Sequence, residues 1–184
     1  NTLDTIIWMA EFQDSQRVVQ VTKSLATYFR LALNQGKDLI CLSDEINHVR
    51  QYLFIQKQRY GEKLEYGIDE NPAFDNLVLP KLVLQPLVEN ALYHGIKEKE
   101  GQGHIKVSVQ KTDTGLVIRI EDDGIGFQAA GDSSQSNLKR GGVGLQNVDQ
   151  RLKLHFGENY QMKIDSAPEK GTTVEIYINR IETS

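Results

Sequence analysis

The spacing of apolar residues changes character once along the chain, near Gly61, and that change limits the folds open to it. Before it the period is helical. Val18, Val21, Leu25, Tyr28 and Ala32 recur at steps of 3, 4, 3 and 4, and Ile46, Val49, Leu53, Gln56 and Tyr60 repeat those steps. Such spacing keeps each set on one helix face. Asn34-Gln35-Gly36 supplies a stop between the two runs, because Gly36 can take positive φ at a helix end. Ser43 is placed to cap the second helix, with Asp44 and Glu45 where the helix dipole favours negative charge. Stripes of this kind pack on other helices, within the chain or across a dimer seam.

After Gly61 the period becomes two. Leu64, Tyr66 and Ile68 alternate with polar residues as in a half-buried strand, as do Ile105-Val107-Val109 and Leu116-Ile118-Ile120. The last two are joined by a turn at Thr112-Asp113-Thr114-Gly115. Pro80 is expected to start a helix running through Leu82, Leu87, Val88 and Leu92, with Pro86 near its first turn. A loop rich in Gly, Ser and Asp covers 128–140, a helix is predicted from Val143 to Phe156 with Gly157 as its C-cap, and strands around Met162-Ile164 and Val174-Ile176-Ile178 follow. A helical hairpin followed by β-α-β-β-loop-α-β-β predicts an α+β fold of sheet and helices. The boundary falls near residues 61–65, giving expected parts 1–62 and 63–184.

Composition removes other classes. At 184 residues and 39% apolar the chain can bury a core, and its net charge of −4 with no long basic run disfavours a phosphate-gripping nucleic-acid binder. A single cysteine, Cys41, excludes an intrachain disulfide and a multi-cysteine metal site. Nowhere do 18 apolar residues run together, and no signal-peptide pattern opens the sequence, so a soluble piece is expected. Asn1-Thr2-Leu3 already lies in an amphipathic pattern without an initiator methionine, so the chain is expected to be a fragment of something longer.

Three clusters carry chemistry. In Leu87-Val88-Glu89-Asn90-Ala91-Leu92-Tyr93-His94-Gly95, Asn90 and His94 share a helix face, and an amide oxygen facing a cleft suits Mg²⁺, which keeps waters or phosphates as its other ligands. Taken alone, that Asn also fits a surface or capping role. Glu121-Asp122-Asp123-Gly124-Ile125-Gly126-Phe127 ends an alternating strand, and a carboxylate there can accept from an exocyclic amine such as N6 of adenine. Flanking glycines let backbone approach a flat ring, although an Asp-Gly turn alone would read the same way. Gly141-Gly142-Val143-Gly144-Leu145-Gln146-Asn147 runs into a helix, whose first N–H groups bind anions such as phosphate. Neither a lysine P-loop nor a dinucleotide fingerprint is present. Together the clusters offer a metal ligand, a base reader and a phosphate cradle, which points to a purine nucleotide.

These residues resemble the GHKL (Bergerat-fold) ATPase and kinase superfamily, and within it the LytS/YesM-type sensor histidine kinases of two-component systems. Asn1-Thr2-Leu3 is similar to the end of that family's P-H-F-L-x-N-x-L segment. Leu42-Ser43-Asp44-Glu45-Ile46 through Arg59-Tyr60 is similar to its L-x-x-E-[IL]…Y-L-x-I-Q…R-[FY] helix, and Leu84-Gln85-Pro86-Leu87-Val88-Glu89-Asn90-Ala91 with His94-Gly95 to its N box. The resemblance implies a two-layer α/β sandwich preceded by a helical hairpin dimerisation segment. It implies an ATP and Mg²⁺ site in which Asn90 holds the metal against the phosphates and His94 lines the nucleotide. Asp122 would accept the adenine amine, Gly124 and Gly126 would shape the base pocket, and Gly142, Gly144 and Leu145 would form the phosphate turn. Thr172 would support the adenine-reading acid through water, residues 128–140 would be a lid, and Lys139 or Arg140 are candidates to touch phosphate. Its partners would be a second copy of the chain, as a homodimer, and a response regulator receiver domain. The parent would be a membrane receptor with this part in the cytoplasm.

Two departures bear on activity. Four residues before Asn90 stands Pro86, where hydrolytic branches of the superfamily carry a glutamate base, which disfavours activation of water or serine and leaves histidine as acceptor. Glu89 is one residue from Asn90 and points elsewhere, and Tyr93 stands where many kinases carry a basic residue. The acceptor histidine of the resemblance lies just before Asn1, and His48, His94, His104 and His155 do not match it. The fragment is therefore expected to bind Mg-ATP without phosphorylating itself, the alternative being a nucleotide-dependent interaction module without phosphotransfer.

Overall fold

The computed structural model describes residues 2–11, 14–33, 38–128 and 142–179. Two helices open the chain, α1 (Thr2–Glu11) and α2 (Ser15–Leu33), and a third, α3 (Leu42–Tyr60), runs alongside α2. Both expected stripes face inward. Val21 on α2 and Ile46, Val49, Leu53 and Gln56 on α3 are buried. The stop expected at Gly36 lies outside the described residues.

Ser43 does not cap α3. No side chain caps this helix; instead the Leu42 and Ser43 N–H groups donate to the carbonyls of Leu77 and Asp75 at 2.7 and 3.2 Å. A neighbouring loop thus satisfies the amides that a local cap would otherwise take.

β1 (Leu39–Cys41) precedes α3 and pairs antiparallel with β3 (Val78–Pro80). Pro80 therefore ends a strand, correcting its reading as a helix start. Its missing N–H costs nothing at the end of a two-stranded ribbon. The helix begins later, as α4 (Gln85–Asn90), with Pro86 in its first turn as expected, and continues without a break into a π turn, Ala91–Ile96.

The remaining strands form one sheet. β2 (Leu64–Asp69), β4 (Gly103–Lys111), β5 (Gly115–Asp122), β6 (Tyr160–Ala167) and β7 (Gly171–Asn179) lie in the order β2-β4-β5-β7-β6. β2 and β4 are parallel and every other pair is antiparallel. α5 (Gly142–Phe156) sits between β5 and β6 in sequence, and Gly157 after it takes φ +57°.

Alternation sorts the sheet into two faces. Ile105, Val107, Leu116, Ile118, Ile120, Met162, Val174 and Ile176 are buried, in one core with Leu87, Val88 and Leu92 beside α4 and Leu145, Val148 and Leu152 of α5. The opposite face carries ion pairs, Lys106–Asp69 at 3.0 Å and Arg119–Glu175 at 2.6 Å. Helices on one face and charges on the other make this the two-layer α+β sandwich that was expected. Leu42, Ile46, Val49 and Leu53 of α3 belong to the same core cluster, so packing is continuous from α3 into the sheet.

Candidate nucleotide site

The helical layer and the sheet part at one end to leave a cavity of about 220 Å³. Its floor is apolar, made by Ile120, Ile164 and Val174 from the sheet with Leu87 and Leu145 from the helices. Asn90, Ala91, His94 and Gly95 form one wall; Asp122, Gly126, Phe127 and Thr172 close the end. An apolar slot with a few convergent polar groups suits a flat heterocycle.

Asp122 is the one carboxylate among the described lining residues. Register explains why it points inward: Leu116, Ile118 and Ile120 face the core, and Asp122 continues their parity. Burial pushes its carboxyl up to about 6, against the pull of backbone N–H groups of Gly124 and Thr172. The Gly124 N–H donates to Asp122 Oδ1 at 2.9 Å. Asp123, one residue on, faces away and pairs with Lys99 at 2.9 Å while accepting the His104 N–H at 2.7 Å. Burial is the largest single influence and pushes its carboxyl up, but the His104 N–H and Lys99 together outweigh it and hold the group below the usual carboxylate range. The tandem acids thus divide into a cavity group and a surface anchor.

The flanking glycines are needed for close approach. A Cβ on Gly124 would run into the backbone of Gly95, and Gly126, at φ +58°, would collide with the Ala167 carbonyl. The second contact sets the loop after β5 against the turn from Ala167 to Gly171 between β6 and β7, and the first sets the end of β5 against the π turn that bears His94 and Gly95. The turn widens the helix by one residue, with the Lys97 N–H reaching the Leu92 carbonyl at 2.8 Å. Asn90 and His94, at the junction of α4 and this turn, still line the same cavity.

Of the other expected residues, Leu145 and Thr172 line the cavity, and Gly124 lies buried behind it. Gly142 and Gly144 occupy the first turn of α5, with Gly144 beside Pro86 at 4.0 Å for an added Cβ. Gly141, Lys139, Arg140 and lid positions 129–138 lie outside the described residues. Glu89 turns from the cavity to accept the Gln85 Nε2 amide at 2.7 Å, and the same amide reaches the Tyr28 hydroxyl at 2.6 Å. His48 is buried and stacked on Tyr28 with 4.4 Å between ring centroids, and burial holds its imidazole down to about 4.

Ser166 was missed. Its Oγ donates to the Gly171 carbonyl at 3.0 Å, lies 3.0 Å from Thr172 Oγ1 and accepts the Phe127 N–H at 2.9 Å, tying the three segments at the cavity's closed end. The signal was available: Met162, Ile164 and Ser166 share one parity, and a hydroxyl in an inward stripe calls for partners. Among the described residues no group of three His, Cys, Asp or Glu side chains could hold a metal. A divalent ion here would rest on Asn90 and on oxygens brought by the ligand, a donor set that fits Mg²⁺.

Residues 76–181 match the family described as histidine kinase-, DNA gyrase B-, and HSP90-like ATPase, and residues 1–64 match a family described as histidine kinase. The chain belongs to the histidine kinase-, gyrase B- and HSP90-like ATPase family. Its relatives include sensor histidine kinase YesM of Bacillus subtilis, 33% identical over 97% of this chain, and BtsS of Escherichia coli, 31% identical over 96%. The chain spans 30% of the length of each. Among solved structures, the histidine kinase domain of the Erythrobacter litoralis EL346 blue-light activated histidine kinase superposes with a TM-score of 0.57 at 19% identity, covering 97% of this chain and 86% of that one. That likeness concerns the fold, which is that of a histidine kinase catalytic domain. No helix among the described residues is long and apolar enough to cross a membrane.

Proposed function

We propose that this member of the ATPase family binds Mg-ATP in the cavity and passes the γ-phosphoryl group to a histidine upstream of Asn1, from which a response regulator aspartate receives it. The observation that carries the reading is the placement of Asp122, a half-buried carboxylate at the closed end of an apolar slot, with Thr172 beside it and Asn90 on the adjoining wall. In this role Asp122 accepts the adenine amine and the Ile120, Ile164 and Val174 floor supports the ring. Asn90 carries the metal, and the N–H groups at the start of α5 meet the phosphates. Mg²⁺ supplies neutralisation of phosphate charge during transfer. Pro86 leaves no carboxylate base at the position used by hydrolytic relatives, which fits a nucleophile needing no activation of water. Leu3 and Ile7 on α1, and Phe29 and Leu33 on α2, are exposed pairs at i, i+4, which supports closure of the helical segment against a second copy. In a longer parent this part would be cytoplasmic, anchored to the membrane by other segments.

Calorimetry with ATP and GTP, each with magnesium and with a chelator, tests the reading. ATP is expected to bind at least about tenfold more tightly than GTP. Asn90→Ala is expected to erase the magnesium-dependent part of ATP affinity while leaving magnesium-free ADP binding within about twofold. Equal affinity of the wild type for ATP and GTP would sink the assignment of Asp122.

Asp122 also sets a pH dependence. Its folded value of about 6 lies above the ordinary 3.8, so the folded chain holds the extra proton between them. Ionised Asp122 therefore costs stability above about pH 6, and that cost is relieved as pH falls through the window. Nucleotide affinity moves the other way, because the ionised carboxylate is the stronger acceptor for the amine. The Kd for ATP should rise as pH drops below about 6, while the melting temperature of the ligand-free Asp122→Asn protein at pH 7 should exceed that of the wild type. A Kd flat from about pH 5 to pH 8 would contradict this.

A further inference from the structure

α4 carries the metal-binding Asn90 of the proposed reading, yet it has no cap of its own. Leu84, the residue before it, has helical backbone angles of φ −84° and ψ −34° and no side chain able to accept from the first amides. The helix's own Leu87 and Val88 N–H groups reach back to the Leu84 carbonyl at 3.1 Å each. The amides of Leu82, Val83 and Leu84 that lead into it need acceptors too, since Val83 and Leu84 are buried.

Their acceptor comes from α3. Glu45, fully buried at 0% exposure, takes the Leu82 N–H on Oε2 at 2.9 Å and the Val83 and Leu84 N–H groups on Oε1 at 2.7 and 2.8 Å. One carboxylate thus gathers three successive amides from 37 to 39 residues away, at the positive end of the α4 dipole. Leu82 meanwhile sits at φ +57°, a left-handed conformation that a leucine adopts only when its surroundings hold it there. The bond to Glu45 is such a hold. Three residues after Leu82 the helix begins, and its last residue is Asn90.

The geometry points to Glu45 as a positioning residue for the nucleotide site: from α3 it holds the turn of Leu82, Val83 and Leu84 that leads into the Asn90 helix and so sets the direction in which Asn90 enters the cavity. This inference rests on the reading of Asn90 as the metal ligand. It makes α3, which lies in the matched segment 1–64, part of the apparatus that aims a residue of the matched segment 76–181. A shift of α3 along its axis would move the carboxylate and with it the first turn of α4.

The test compares the wild type, Glu45→Gln and Glu45→Gln/Leu82→Gly. The glutamine keeps the volume but turns one oxygen into a donor facing the amides. Glycine takes φ +57° without the Cβ penalty and so restores the turn without the hold. Affinity for Mg-ATP and for ADP in chelator is read by calorimetry well below each variant's melting temperature. Glu45→Gln should weaken Mg-ATP about tenfold and leave magnesium-free ADP within about twofold, and the added Leu82→Gly should recover most of the Mg-ATP loss. A structural role alone would lower the melting temperature without that selective loss or that rescue, and overturns the proposal, as does parallel loss of both ligands. Should Glu45→Gln not fold, Glu45→Asp, one methylene short of the same amides, carries the same comparison. A wild type whose ATP binding ignores magnesium overturns the reading of Asn90 itself; a wild type that responds to magnesium beside a Glu45→Gln protein that responds equally overturns only the role of Glu45.

Discussion

Asp122→Ala should weaken ATP binding about 100-fold and abolish preference for ATP over GTP, measured by calorimetry at pH 7. Losing a hydrogen bond to a charged acceptor costs roughly 1.5 to 3 kcal/mol, and the truncation also leaves an adenine amine buried without a partner. The protein itself should not suffer, because the substitution removes a carboxylate whose burial already pushes it up to about 6. The control is adjacent. Asp123→Ala breaks an exposed pair with Lys99 and the bond from His104 N–H, so nucleotide affinity should change by less than about threefold. If the two alanine variants lose affinity alike, the division of labour between these neighbours is wrong.

Gly124→Ala should damage both the fold and the site. A Cβ there meets the Gly95 backbone and stands 2.7 Å from Asp122 Oδ1. No flexible side-chain end is available to yield; relief requires β5 and the π turn to separate. A loss of about 2 to 4 kcal/mol is expected, seen as a lower denaturation midpoint, with nucleotide binding lost in the remaining folded protein because Asp122 and His94 move apart. Gly144→Ala makes the contrast. Its nearest neighbour would be Pro86 Cβ at 4.0 Å, and it lies inside a helix, so alanine should raise stability by up to about 1 kcal/mol. A Gly124→Ala protein as stable as the wild type would show that the close approach of these segments is dispensable.

The order of elements and the content of the core could be read before any coordinates because they follow from period. Steps of 3 and 4 in Val18–Ala32 and Ile46–Tyr60 mark faces that must be covered, and alternation in 105–109, 116–120 and 174–178 marks one face of a sheet. The same parity carries Asp122 inward, but it is the family resemblance, and not parity, that singles out Asp122 over Asp123 as the candidate base-reading acid. Ser166 was equally legible by parity and was overlooked among apolar neighbours. β1 and β3 were not legible: three-residue strands leave no periodic trace, and their pairing joins Leu39 to Pro80 across more than half the preceding chain. Pro80 and Ser43 were misread for a related reason. Local turn and cap chemistry was assigned to residues whose amides, or whose neighbours' amides, are satisfied from distant segments.

Glu45 marks the same limit most clearly. In the sequence it is one of two acids in the first turn of a helix, and a dipole partner is the natural reading. Folding buries it completely and gives it three amides of a segment nearly forty residues on. Side-chain periodicity is a local property, dictated by bond geometry and the exclusion of apolar groups from water, so it survives in the one-dimensional string. Which buried donor meets which buried acceptor depends on how finished elements stack against one another, and that information exists only once the chain has closed on itself.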